Sequence, residues 1–180
     1  MSQSLLSVRP RSSLTLLALA ALAVTGTACA PTTMNGPPLP PPPPSSAFSA
    51  EAFNWSAQTG QAGIAGQIAF RREGTAYACT GSVALTPDTP YTRARFNTLY
   101  GSTNQAAVPE AVIRARTVAD PNADYRNFVR SATCAEGRFS FSGLPDGSWF
   151  LIAPVSAGGD RIVLMKRVET RGGRMVNVTL

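Results

Sequence analysis

The chain has 180 residues, 44% of them hydrophobic and only 14% charged, with a formal net charge of +6. Fifteen of its 16 basic residues are Arg, and it contains no His at all. The length suits one modest globular domain with extra segments. The missing imidazole excludes a Ser-His-Asp triad, a Cys-His pair, an HExxH zinc site and a His-ligated haem.

Arg9 and Arg11 form a short positive stretch, followed by Leu14 to Val24, apolar throughout except Thr15. The run is shorter than the ~20 residues a membrane-spanning helix needs, and it fits the apolar core of a signal peptide. Thr25-Gly26-Thr27-Ala28-Cys29 comes next, with small residues at Gly26 and Ala28. In this stretch the chain resembles a bacterial lipoprotein, whose signal peptide ends at a Cys that becomes acylated. The family prefers Leu or Val where Gly26 stands; ordinary secretion with cleavage after Ala28 or Ala30 is the alternative. The resemblance implies a signal peptide over 1–28 and lipid attachment at Cys29. Loss of Arg9 and Arg11 would leave 14 basic against 10 acidic residues, a net +4. Ala30 is not the Asp that usually retains lipoproteins in the inner membrane. The implied address is therefore the outer membrane, lipid-anchored and facing the periplasm, with a secreted periplasmic or surface-exposed protein as alternatives.

Residues 29–50 read as a linker, and eight of the fifteen prolines lie there. Pro37 to Pro44 predicts polyproline II, because proline fixes φ and lacks an N–H. At ~3.1 Å per residue this stretch reaches roughly 25 Å, a stiff spacer rather than a docking ligand.

From Glu51 to Leu180 the pattern becomes that of a single all-β domain, an antiparallel sandwich of about seven strands. Ile64, Ile68 and Phe70 share one face of an alternating segment. Tyr77, Cys79, Val83 and Leu85 share parity along Thr75–Thr86. Arg138 to Ser142 alternates without fault, and Gly143-Leu144-Pro145-Asp146-Gly147 supplies turn chemistry. Ser148 to Val155 is continuously apolar at its centre and predicts a strand buried on both faces. Ile162–Val168 and Met175–Leu180 flank Gly172-Gly173, a hairpin signal. No amphipathic helix longer than about two turns is expected.

Three cysteines leave Cys79 and Cys134 as a pair once Cys29 carries lipid. An oxidising compartment and the inward parity of Cys79 favour a disulfide; a buried or a reactive free thiol is the alternative. The two lie 55 residues apart, a closure worth about 4 kcal/mol in the chain-entropy model.

The segment from Cys134 to Leu151, Cys-Ala-Glu-Gly-Arg-Phe-Ser-Phe-Ser-Gly-Leu-Pro-Asp-Gly-Ser-Trp-Phe-Leu, resembles the C-x-x-G-x-F-x-F-x-x-L-P-x-G-x-Y-x-L pattern of carboxypeptidase regulatory-like domains. Ile64-Ala65-Gly66-Gln67-Ile68 is similar to their opening I-x-G-x-V strand, and Cys79 to Pro87 to the strand that follows. Pro90-Tyr91 recurs after that strand in lipoprotein-like members. The likeness covers most of 62–180 and implies a transthyretin-like sandwich. Trp149 replaces the usual Tyr and its N–H will need a partner. The module is accessory in many proteins, so the resemblance specifies little about function.

Thr89–Asp124 is a 36-residue excursion between predicted strands, long enough to suggest a functional element. Tyr91, Arg93, Arg95 and Tyr100 are its candidate partner-binding residues, because Tyr and Arg commonly anchor interfaces. A lid packed on the sandwich edge, with its Arg residues solvating it, is the competing expectation. Ala111 to Val118 alternates like a strand, and Arg71-Arg72 and Arg114/Arg116 read as solvated faces.

Carboxylates at Glu73, Asp88, Glu110, Asp120, Asp124 and Asp146 show no spacing that assigns an acid and a base, and no cluster has metal-ligand spacing. The expectation is a non-enzyme with no cofactor, and nucleic acid is a poor partner. It would be an envelope lipoprotein serving as an interaction or assembly module for an envelope protein complex. A glycan- or peptidoglycan-binding module is the alternative, with an exposed aromatic platform from Tyr91, Tyr100 and Trp55. A small hydrolase comes last.

Overall fold

The structure, a computed structural model, describes residues 46–180. The signal peptide, Cys29 and the polyproline run lie outside the described residues. A 3-10 turn (Ala50–Phe53) leads into α1 (Asn54–Ala57). Then follow β1 (Ala62–Gln67), β2 (Arg71–Arg72), β3 (Thr75–Ala76), β4 (Ala78–Cys79), β5 (Ser82–Pro87) and α2 (Pro90–Tyr100). Next come β6 (Gln105–Pro109), α3 (Glu110–Ala115), a 3-10 turn (Asp124–Phe128), β7 (Arg130–Thr133) and β8 (Arg138–Leu144). The chain closes with β9 (Gly147–Ala157), β10 (Asp160–Thr170) and β11 (Met175–Thr179).

The fold is the expected β-sandwich. One sheet has three strands in the order β11-β1-β8; the other runs β6-β10-β9-β5-β7, with β4 also on β9. Alternation places Ile64, Phe139, Phe141, Trp149, Leu151, Ala153, Val155, Ile162 and Leu164 in the core between the sheets. Each large apolar side chain fully buried there contributes ~1.5–3 kcal/mol. β9 is buried on both faces, as its sequence predicts, because Phe150 and Ile152 point to a second cluster on the outer side. Trp149 Nε1 donates to Thr170 Oγ1 at 3.1 Å, which meets the need of a buried indole. Cys79 and Cys134 form a disulfide with a Cα–Cα distance of 6.1 Å.

Four expectations are corrected. First, Gly172-Gly173 does not close a hairpin. It carries the chain from β10 across to the other sheet, where β11 lies parallel to β1, so the sandwich is not wholly antiparallel. Second, the excursion contains a three-turn helix, α2. Thr89 and Thr92 cap it reciprocally, Pro90 opens it, and Gly101 closes it with φ 73°. Its buried residues are Tyr91, Thr92, Phe96 and Tyr100, a face without an apolar stripe. Third, the alternation after Ala111 is not a strand: α3 runs through Ala115, anchored by the Glu110–Arg114 ion pair. Fourth, Phe48, read as linker, belongs to the packed domain. Its ring meets Phe53 and Tyr91 at 5.5 and 5.6 Å, and its N–H donates to Asp120 Oδ2 at 3.1 Å.

The described domain therefore has three layers: the small sheet, the large sheet, and a helical cover. In the cover Phe96 and Tyr100 pack on Phe150 and Met165, joined by Ile113. The excursion is a lid, as the competing expectation has it, but only its β6 lies at the sheet edge; α2 covers the outer face of the large sheet.

Candidate binding surfaces

The four excursion residues proposed for partner binding have divergent placements. Tyr91 is 2% exposed, ringed by Phe48, Phe53 and Tyr125. Its hydroxyl donates to the Asn122 carbonyl at 2.7 Å, and burial pushes its pKa up. Tyr100 is 9% exposed beneath the cover, edge-on to Phe96 at 5.5 Å, and burial raises its pKa strongly. Both rings are core, because α2 turns them toward the sheet and lead-in rather than toward solvent. Trp55 is half-buried against Trp149 at 4.8 Å. The expected aromatic platform of Tyr91, Tyr100 and Trp55 is thus not an exposed surface.

The two arginines are structural in part. Arg95 lies over the Tyr125 ring at 4.9 Å and donates to the Asp120 carbonyl at 3.3 Å. Arg93 makes a bidentate pair with the buried Asp88, at 3.0 and 2.9 Å. Arg114 is exposed, and Arg116 donates to the Leu99 carbonyl at 2.7 Å near the end of α2. Arg71 and Arg72 lie on an exposed hairpin, as solvated residues should.

Four further carboxylates are engaged locally. Asp160 accepts from Tyr77 Oη, a contact that raises the tyrosine pKa. Asp146 accepts from the Gly172 and Gly173 amides. Asp120 accepts from the Asn122 and Phe48 amides, which lower its pKa. Glu110 pairs with Arg114 and Arg161, and Arg114 holds its pKa down. Among the described residues no three His, Cys, Asp or Glu side chains converge as a metal site.

One broad concavity lies elsewhere, on the three-stranded sheet. It measures about 650 Å³ and involves Ala65, Gln67, Arg138, Ser140, Asn177 and Thr179, with Thr133 and Ala135 beside β8. Pairing register explains its chemistry. Ala65 is opposite Asn177 on one side and Ser140 on the other; Gln67 is opposite Thr179 and Arg138. Two rungs therefore cross the sheet, amide–methyl–hydroxyl and hydroxyl–amide–guanidinium. Inward neighbours on the same strands, Phe139 and Val178, belong to the core. A floor of Ala65 lies between polar side chains that offer donors and acceptors, with one guanidinium and no carboxylate. Such a surface can hydrogen-bond a polyhydroxylated ligand laid across the strands. Sequence reasoning did not identify these residues. Alternation along each strand marks them as outward-facing, but only the sheet order brings β11 beside β1.

No helix among the described residues is long and apolar enough to cross a membrane. No family model matches the chain. No curated protein matches it. Among solved structures it is similar to a candidate carbohydrate-binding protein from Pseudomonas aeruginosa, with 21% sequence identity and a TM-score of 0.53. The match covers 74% of this chain and 97% of that one, and at this identity it is a likeness of fold.

Proposed function

We propose that this domain is a non-catalytic glycan-binding module that holds its ligand across the outer face of β11-β1-β8. The observation that carries the reading is the two-rung polar surface in the 650 Å³ cleft. Fold likeness to a candidate carbohydrate binder supports it. Hydrogen bonds from Gln67, Asn177, Ser140 and Arg138 would select hydroxyl and acetamido groups, and the alanine floor would admit a ring face. Without an aromatic platform, each site binds weakly. The lipoprotein-like leader supports, in our reading, a cell-envelope setting for this activity. There Cys29 would carry the anchor, and peptidoglycan is the nearest polymeric glycan.

The test is retention on isolated cell-wall sacculi and on a panel of immobilised glycans. Replacing Gln67 and Asn177 together by Ala removes two hydrogen-bonding side chains, about 2 kcal/mol, or roughly 30-fold in affinity. Both side chains are exposed, so folding should be unchanged. Equal retention of wild type and double variant would overturn the assignment of this face. The assembly-module reading remains second. Its support is the anchor sequence ending at Cys29, while its proposed contact surface loses Tyr91 and Tyr100 to the interior.

A further inference from the structure

A second concavity is lined by groups of one sign. It measures about 420 Å³ and is bounded by Arg93, Thr103, Asn104 and Arg167. The two guanidiniums come from separate elements, α2 and β10, and one carboxylate fixes both. Asp88 accepts from Arg93 Nε and Nη2 at 3.0 and 2.9 Å, and from Arg167 Nε at 2.6 Å. Arg167 Nη2 also donates to Ser148 Oγ at 2.9 Å, and its backbone N–H to the Asn104 carbonyl at 2.7 Å.

Burial shows which way the cluster faces. The Asp88 side chain has 0% exposure, while those of Arg93 and Arg167 keep 53% and 38%. The carboxylate stands behind the arginines, and their outer edges line the pocket. One bidentate arginine suffices to neutralise a buried carboxylate. The second leaves a net positive charge on rigidly held donors. A guanidinium held this way loses little conformational freedom on binding an anion. Thr103 and Asn104 add a hydroxyl and an amide at the rim.

We propose that Arg93, Arg167, Thr103 and Asn104 form a binding site for a phosphate-type oxyanion. It goes beyond the glycan reading and is independent of it, since it uses the α2 side of the large sheet rather than the outer face of the small one. The experiment is titration of the full chain with inorganic phosphate at constant ionic strength, following the guanidinium resonances of Arg93 and Arg167. Chloride at matched ionic strength is the control. Saturable shifts of both arginines at one phosphate concentration are expected. Thr103→Glu places a carboxylate at the rim without touching the Asp88 cluster, and should weaken binding about tenfold or more. Competition by methyl phosphate would assign a soluble phosphomonoester; competition by phosphatidic acid vesicles alone would assign a lipid headgroup. Shifts no greater than with chloride, or unaltered phosphate binding in Thr103→Glu, would overturn the proposal. Neither result bears on Gln67 and Asn177, so the two readings fail separately.

Discussion

Trp149 shows how one substitution within a recognisable pattern is accommodated. The indole is fully buried, and Thr170 Oγ1 accepts its N–H while donating to the Pro145 carbonyl at 2.8 Å. Thr170→Val keeps the shape but orphans the indole N–H and the carbonyl. It should lower unfolding free energy by about 1–3 kcal/mol in denaturant titration, with no change in the slope. Gly66 is fixed by close approach rather than by φ: a Cβ there would lie 2.0 Å from the Phe139 ring. Parity placed Phe139, Phe141, Ile64 and Leu85 correctly from sequence, because alternation is a local property. Residue type marks Tyr91 and Tyr100 as binding residues but says nothing of which way a side chain points. Their burial follows from a helix whose contact face includes Thr92 as well as Phe96.

At the scale of elements, α2 is the principal element that the sequence pattern does not reveal. Capping chemistry was present at Thr89, Pro90 and Thr92, but no apolar stripe accompanied it. Gly172-Gly173 gave the opposite error, since a turn signal fixes a reversal but not the strand that receives the chain. The cystine ties β4 to the end of β7 across 55 residues. Replacing Cys79 and Cys134 together by Ala should cost about 2–4 kcal/mol, read as a lower thermal midpoint. The lead-in offers a pH test. Amides of Asn122 and Phe48 lower the Asp120 pKa below its ordinary 3.8. The carboxylate's contribution is therefore complete above the ordinary value and lost as pH falls through the lowered one. Exchange of the Phe48 amide should accelerate only in that acid range. Asp120→Asn should flatten the dependence, and an acid response retained in that variant would disprove the assignment.

At the scale of the described domain, the helical cover and the polar face belong to different sheets. The cover shields the outer side of β9 and β10, so the long excursion is chiefly a packing element. Among the described residues the outer face of β11-β1-β8 has no such cover, and its rungs are polar. The sandwich class and the disulfide were legible in the sequence because both rest on local alternation and cysteine parity. The cleft was not, because its residues meet only through a parallel pairing between the first and last strands, Ala65 with Asn177 and Gln67 with Thr179. The central claim is that this face binds a glycan. It is tested most directly by amide chemical-shift mapping during titration with soluble peptidoglycan strands. The account predicts saturable shifts centred on Ala65 to Gln67, Arg138 to Ser140 and Asn177 to Thr179. Shifts centred on the α2 side, or no saturable shift, would contradict it.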